Sequence, residues 1–454
     1  MEAAAVKKKK GFKMPHGYVV IFMILIFVSV MTYVIPAGQY QRVENETGTE
    51  VVVPDSFEYI ESTPVPFWLI PNYIMESMEE NADIIFGILI VGAGLEVLLS
   101  TGVFHAFCSR LSKACQGKEK FFIPLFMLLF ACIGITQSTN KFIGFTPIGV
   151  MLAATLGYDA IVGVSIVMLG IGIGFSSGIF ASTTAVAQGL VGLPAYSGIS
   201  MRIVAFVVLY VITAVFVVRY GERCRKDPTK SAVYGCPDIQ NFDISAMDTP
   251  IEKRHWLVLV VFLGSFAVLI YGCLRYGWTL TQNAIVFMWM GILSGFAYGY
   301  TPSKIAQEFV KGAKGMISAA LITGLGAACT LIMDEANILD TVVMGMSSVM
   351  NYLPHILQAP AMLIINMIAS VFVTSGTGQA AVVMPILAPV ADLSGISRQI
   401  LVLAYRLGDG ICGYAQPHGG SLMPFIAAAN IPYDRWMKFF GKLSGLWILA
   451  CVII

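Results

Sequence analysis

The sequence predicts an all-α polytopic membrane protein made of two inverted repeats, each with a re-entrant hairpin and a broken helix. Three observations lead there: an apolar composition, Gly and Pro residues that recur at a fixed offset, and polar interruptions inside apolar runs. Of the 454 residues, 57% are hydrophobic and 12% charged, with mean hydropathy +0.77, whereas a soluble domain carries about 25% charged residues. The net charge of +1 points to neither nucleic acid nor an acidic partner. The nine cysteines are scattered with no C-x-x-C pair, which argues against a disulfide framework or a zinc site.

The recurrence spans Thr136 to Pro194 and Thr374 to Pro432, without a gap, at an offset of 238 positions (Pro147 against Pro385). Thr139 falls on Thr377, Gly157 on Gly395, Gly170 on Gly408 and Gly172 on Gly410. Matches at Gly and Pro are what a shared chain path requires. Paired interruptions in two halves of a membrane chain point to a solute site between them.

Taken in order, residues 1–16 form a basic tail with Lys7 to Lys10 and Lys13, placing the N-terminus in the cytoplasm. Residues 17–220 form the first repeat. Its first helix runs from about Gly17 to Pro36 and leads to an acidic outer segment, Gly38 to Pro64, with short β-like runs and the sequon Asn45-Glu46-Thr47. Phe67 to Glu80 reads as an amphipathic interfacial arm. A helix from about Ile84 to Phe104 returns to a basic loop containing Arg110, Lys113, Lys118 and Lys120. The runs Phe121 to Ile135 and Phe142 to Leu156 are each too short to span. With the polar tip Thr136 to Lys141 they predict a re-entrant hairpin over about 121–156. A helix broken at Ser176 to Thr184 follows over about 159–194, and Arg202 to Arg219 comes back in.

Residues 221–279 are read as a cytoplasmic loop and one linking helix, about Trp256 to Tyr276. That odd crossing inverts the second repeat, 280–454. There Leu280 to Tyr298 goes inward, Ser303 to Lys314 is a second amphipathic arm, and Ile317 to Asp334 goes outward. A hairpin over about 359–392 enters from outside, a helix broken at Cys412 to Ser421 covers about 397–432, and the last helix leaves the C-terminus outside. Non-helical backbone at membrane depth persists only where protein or a water-filled cavity satisfies it.

Candidate substrate-binding residues are Gln137, Ser138, Thr139, Asn140, Lys141, Ser182, Thr183, Ser375, Gly376, Thr377, Gly378, Gln379, His418, Gly419 and Ser421. Candidate sodium ligands are Thr136, Asn140, Ser176, Thr374, Gly378 and Gly413. No other metal and no cofactor is expected; sodium or a proton is the expected coupling ion. Half-helix N-termini with adjacent hydroxyls suit a carboxylate, and Lys141 adds positive charge. Lys141 either meets an anionic partner or snorkels. His418 is read either as a structural hydrogen-bonding residue or as a solute or proton contact. Glu96, which the offset places on Asp334, is read as a structural anchor or a proton carrier. Arg406 and Asp409, three apart on one helix, are read as an internal pair or as substrate contacts.

The runs SGTGQAAVVMPILAPVADLSGISRQILVLAYRLGDG and IPY.RW, with LGYDAIVG, GIGF, AQGLVGLPAYSGISMR and IMDEANILDT, resemble the YfcC/DcuC-type carriers of the ion-transporter superfamily over nearly the whole chain. The resemblance implies a secondary carrier with a dimerising scaffold and an elevator-type transport domain, acting on C4-dicarboxylates or on amino acids, basic ones included. Two departures stand out. Asn140-Lys141 occupies a tip where YfcC-like members carry two glutamates, and Pro417-His418-Gly419-Gly420 stands where Pro-Thr-Ser-Gly is expected. Two acids would suit a cation; a neutral residue plus a lysine reverses the local field.

The function expected is therefore secondary active transport of a small carboxylate-bearing metabolite, a dicarboxylate or an amino acid, across the cytoplasmic (inner) membrane, by symport or antiport. The rival within the family is a basic amino-acid exchanger of the arginine/ornithine type. The partners expected are the solute, the lipid bilayer and a second copy of the chain. An enzyme is not expected: His418 to Ser421 resembles a lipase oxyanion motif, but no G-x-S-x-G or H-E-x-x-H accompanies it. A channel or a non-transporting receptor are the remaining alternatives.

Overall fold

The computed structural model describes residues 17–44, 50–53, 56–103, 106, 119–236, 252–276, 278, 280–350 and 353–454. The N-terminal tail, the sequon, Arg110, Lys113, Lys118 and most of the loop before Lys253 lie outside the described residues.

The described chain is mostly helical. α1 (Gly17–Val34) is followed by four short strands, β1 (Gly38–Gln39), β2 (Arg42–Glu44), β3 (Glu50–Val52) and β4 (Glu58–Tyr59). β1 pairs antiparallel with β4, and β2 with β3, so the short β-like runs read in Gly38 to Pro64 form two small ribbons in an otherwise helical chain. The ribbon region is pinned by Asp340, which accepts from the Tyr40 backbone N–H at 3.0 Å and pairs with Arg42 at 2.9 Å.

α2 (Ile70–Glu80) and α3 (Ala82–Ser100) come next, then α4 (Glu119–Gly134) and α5 (Thr146–Thr155) around a polar turn that ends in a 3-10 segment, Thr139–Phe145. α6 (Ala160–Val164) and α7 (Gly170–Ser177) are joined by one π turn, Ser165–Leu169. α8 (Ser182–Leu190), α9 (Ile199–Lys226), α10 (Lys253–Tyr276) and α11 (Leu280–Tyr298) follow. α12 (Pro302–Glu335) is one 34-residue helix. The sequence reading divided it into an arm and a span. The helix runs through because no Pro lies inside it, and Gly312 packs against the α3 backbone instead of ending a turn. α13 (Leu339–Met350), α14 (His355–Phe372), α15 (Gly376–Leu393), α16 (Arg398–Gly413), α17 (Leu422–Ala428) and α18 (Tyr433–Ile453) complete the chain. Among the described residues, six helical stretches are long and apolar enough to cross a membrane.

Positions paired by the 238 offset share local geometry. Gly157 and Gly395 are both left-handed, and so are Gly192 and Asn430. Tyr158 N–H donates to Ala153 O, as Ile396 N–H does to Ala391 O, both at 2.8 Å. Leu193 N–H to Gln188 O matches Ile431 N–H to Ile426 O, again both at 2.8 Å. Asp159 caps α6 and Ser397 caps α16 with side-chain oxygens. A left-handed residue just past a helix, with this bond back to the last turn, is the common way to end one.

The helices pack as two sets. α1, α2, α3, α10, α11 and α12 contact one another; α4 to α9 and α14 to α18 form the other set. The sets meet where α12 crosses α17 and where α3 meets the 3-10 segment. Close crossings use glycine, as in other membrane bundles. A Cβ on Gly94 of α3 would lie 2.1 Å from the Phe287 carbonyl oxygen of α11. Gly94→Ala is therefore expected to cost about 1–3 kcal/mol, read as a lower melting temperature in detergent. Gly264→Ala, where nothing lies within 4 Å of the new methyl, should leave it unchanged.

Candidate functional site

Four irregular segments supply most of one cavity of ≈ 470 Å³: the turn before α5, the turn before α15, the break between α7 and α8, and the break between α16 and α17. α12 closes one side with Thr323 and Ala327.

The first break begins at Gly178, left-handed at φ 65°. A Cβ there would lie 2.6 Å from Thr184 Oγ1 and 3.0 Å from Arg406 Cγ, so both conformation and space require glycine. Two arginines approach the carbonyls at the C-terminal end of α7, where Phe175 O also accepts from the Gly178 N–H at 3.2 Å. Arg406 Nη2 donates to Phe175 O at 2.6 Å, and Arg202 Nη1 approaches Gly178 O at 3.4 Å. Arg406 also lies over the Phe175 ring, 4.3 Å from its centroid. Its side chain is 0% exposed and pairs with Asp409 Oδ2 at 2.8 Å. The internal-pair reading of Arg406 and Asp409 thus holds, while Asp409 also stands on the cavity wall.

The other side of that break is the start of α8. Its N-cap is Ala181, which has no oxygen to offer. The opening amides of α8 are therefore left without a side-chain cap, and Thr183 Oγ1 is buried with no partner. The start of α15 lies beside it: a Cβ on Gly376 would be 3.3 Å from Thr183 Cγ2 and 3.6 Å from Asp409 Oδ2. Two helix N-termini thus converge within a few ångströms, each with partial positive charge. Ser375 Oγ accepts from Gly378 N–H at 3.3 Å, and Tyr405 donates its hydroxyl to Gly376 O.

At the opposite end the first turn is tied to the second break. Ser421 Oγ donates to Asn140 Oδ1 at 2.7 Å, and the hydroxyls of Thr139 and Tyr414 are 2.8 Å apart. Lys141 Nζ donates to Gln137 Oε1 at 2.9 Å and to Trp278 O at 3.0 Å. His418 Nε2 lies 2.7 Å from Val371 O. A carbonyl only accepts, so the neutral ring carries its proton on Nε2; Nδ1 is buried without a partner. Gly326 of α12 presses on the same break, where a Cβ would sit 2.2 Å from His418 O.

Of the residues singled out from sequence, Thr136 to Lys141, Ser182, Thr183, Thr374 to Thr377, Gly413, His418, Gly419 and Ser421 stand on the cavity wall. Three do not. Gln379 lies a turn into α15, fully buried, and donates to Asn366 O at 2.9 Å. Ser176 returns its hydroxyl to Gly172 O at 2.6 Å, beneath Gly410. Gly378 is inside the first turn of α15, its N–H used by Ser375. Asp409, read from sequence as a pair partner or a substrate contact, stands on the wall, and Tyr414, Gln416, Asn81, Ser370 and Thr323 join it without having been singled out. Asp409 and Tyr414 flank the second break in sequence, which was a usable signal; Asn81 and Thr323 arrive by tertiary packing and had none. Glu96 accepts from Lys311 Nζ at 2.6 Å and has a structural partner. Among the described residues no group of three or more His, Cys, Asp or Glu side chains is placed to hold a metal ion.

Apolar spanning helices that break around a polar cavity define a multi-pass membrane transporter. The family model of the C4-dicarboxylate anaerobic carrier (DcuC) matches residues 14–454, and the chain belongs to that family. It is 30% identical over 490 residues to the Escherichia coli K12 protein named "Putative basic amino acid antiporter YfcC", covering 99% of this chain and 97% of that one. A Haemophilus influenzae protein, named only as uncharacterized, is 27% identical over 499 residues, covering 99% and 98%. Among solved structures, the YdaH transporter of Alcanivorax borkumensis aligns with a TM-score of 0.45 at 12% identity, over 97% of each chain.

Replacing Arg406 by Gln removes the charged donor to Phe175 O, which keeps only the Gly178 N–H, and leaves the Asp409 carboxylate unpaired. Breaking one side of such a buried pair costs about 3–5 kcal/mol. The expected outcome is a large fall in melting temperature, partly restored in Arg406→Gln/Asp409→Asn.

Proposed function

We propose that the protein is a secondary active carrier of a small carboxylate-bearing metabolite in the cytoplasmic membrane, working by an elevator mechanism. The observation that carries this is the convergence of two turns and two helix breaks on one cavity, where the N-termini of α8 and α15 meet at Thr183 and Gly376. α8 has no side-chain cap, and α15 keeps the amides before Gly378 clear of its Ser375 cap; free N–H groups at helix N-termini bind carboxylates together with the dipole. Lys141 adds a positive charge to the same cavity, and the hydroxyls of Ser138, Thr139, Thr377 and Ser421 offer further donors.

The matched helix ends at Gly157/Gly395 and Gly192/Asn430 support two repeats of inverted topology. In that reading α4–α5 and α14–α15 are the hairpins, and α6–α8 and α16–α17 the broken helices. The two packing sets support a division into scaffold and transport domain, with the N-terminus inside, the C-terminus outside and the scaffold dimerising. Coupling is to sodium, a proton or a counter-transported solute. Sodium would sit on neutral oxygens near Thr136, Asn140, Thr374 and Gly413.

A second reading, a basic amino-acid exchanger, is favoured by the name borne by the Escherichia coli relative. Uptake into proteoliposomes separates the two. Succinate, alanine and arginine are compared with and without a sodium gradient, and in arginine-loaded vesicles. Saturable succinate or alanine uptake that collapses in Lys141→Glu is the expected result. Arginine uptake unharmed or improved by Lys141→Glu would overturn the carboxylate reading and leave the exchanger.

A further inference from the structure

Lys141 and Asp409 are the one basic and the one acidic side chain, among Lys, Arg, Asp and Glu, on the described cavity wall. Asp409 lies one turn before the second break, and its side chain is 13% exposed. Its Oδ2 is taken by Arg406 Nη1 at 2.8 Å. Oδ1 has no protein donor and is not among the sealed, unpartnered atoms. It is an acceptor open to the cavity.

Arg406 cannot swing away to cover that second oxygen. It is held by Phe175 O, stacked on the Phe175 ring, and has Arg202 as its like-charged neighbour. It acts as a positioning residue that fixes the carboxylate plane. The carboxylate lies beside the two helix N-termini: the position a Cβ would take on Gly376 is 3.6 Å from Asp409 Oδ2 and 3.3 Å from Thr183 Cγ2. An anion receptor and a cation receptor thus stand side by side, a few ångströms apart. Both lie on the wall of one cavity, within reach of a single small solute that carries both charges. A plain carboxylate placed there would bring a second carboxylate against Asp409, whose one ion-pair partner, Arg406, lies on the other oxygen, and like charges at short range are disfavoured in a site screened from water.

We infer that Asp409 Oδ1 receives a protonated amino group next to the solute carboxylate, so that the cavity selects α-amino acids over mono- and dicarboxylates lacking the amine. This rests on the carboxylate reading of the site and adds a second determinant to it. The ammonium donates to Oδ1, the carboxylate accepts from the opening amides of α8 and α15, and no covalent step is involved.

The test is equilibrium binding to the purified full chain in nanodiscs, with solutes matched except for the amine: alanine against propionate, and aspartate against succinate. The expected result is a preference for the amino member of at least about 10-fold, or ~1.4 kcal/mol. In Asp409→Asn the ratio should fall toward one while propionate and succinate binding is kept or improved. Equal binding of the matched solutes by the wild-type protein overturns the inference while leaving the carboxylate reading in place, and needs no variant that folds. A preference that survives in Asp409→Asn also overturns it. So does a variant that loses sodium dependence but keeps the preference, because the oxygen would then serve the coupling ion. If neither member of either pair binds, the carboxylate reading falls and this inference with it.

Discussion

The structure depends on how the open end of α7 is satisfied inside the membrane. A helix that stops at mid-depth leaves carbonyls with no water to meet them. Here two arginines from different helices, Arg406 of α16 and Arg202 of α9, approach Phe175 O and Gly178 O. A buried guanidinium is itself expensive unless paired. The negative end of α7 meets the cations; Arg406 finds acceptors in Phe175 O and Asp409, while Arg202 Nε and Nη2 stay buried without partners. Once Arg406 is fixed in this role, Asp409 is oriented, Gly178 is required, and α16 is locked to α7 by Gly410 pressing on Ser176. The cavity is the space left on the far side of that cluster.

The site is asymmetric because the two breaks solve the same problem differently. The first uses charge, with arginines on its carbonyl side and uncapped amides on the other. The second uses neutral hydrogen bonds, Thr139 with Tyr414, Ser421 with Asn140 and His418 with Val371 O. Two of these partners, Thr139 and Asn140, come from the tip of the first turn, while Val371 belongs to α14 of the same half. Arg406 on Phe175 O, Thr139 with Tyr414 and Asn140 with Ser421 cross between the halves, which ties the geometry of the site to their association.

Much of this was legible in the sequence, for physical reasons. Spanning helices declare themselves by length and hydropathy, and the breaks by polar or glycine-rich runs that lipid would not tolerate. The offset of 238 was carried by Gly and Pro because they are chosen by backbone conformation, and the left-handed Gly157 and Gly395 show that conformation. What sequence could not give was direction. Gln379 sits among cavity residues in the chain, yet its position on the turn of α15 aims it at Asn366. Ser176 reads as a break residue, but it lies in the last turn of α7 and bonds backward to Gly172 O. The continuity of α12 was hidden because a change from amphipathic to apolar character looks like a boundary, although nothing in it interrupts the helical hydrogen bonds.

The cavity is also a seam. Its wall draws Thr323 and Ala327 from α12, in one packing set, and the two breaks from the other. Gly326 brings α12 against the His418 carbonyl with no room for a methyl group. Lys141, on the wall, donates across the seam to Trp278 O in the connection between α10 and α11. A ligand in this place touches both sets at once, so its binding free energy depends on how the sets are placed against each other. By linkage, a solute that draws on the Lys141 ammonium must weigh against the Trp278 contact, and any shift of one set along the other must change affinity. A site enclosed within one set would have no such dependence. Were the sets to move against each other, the location of the cavity, rather than the identity of any one residue in it, would make solute binding and that motion thermodynamically inseparable.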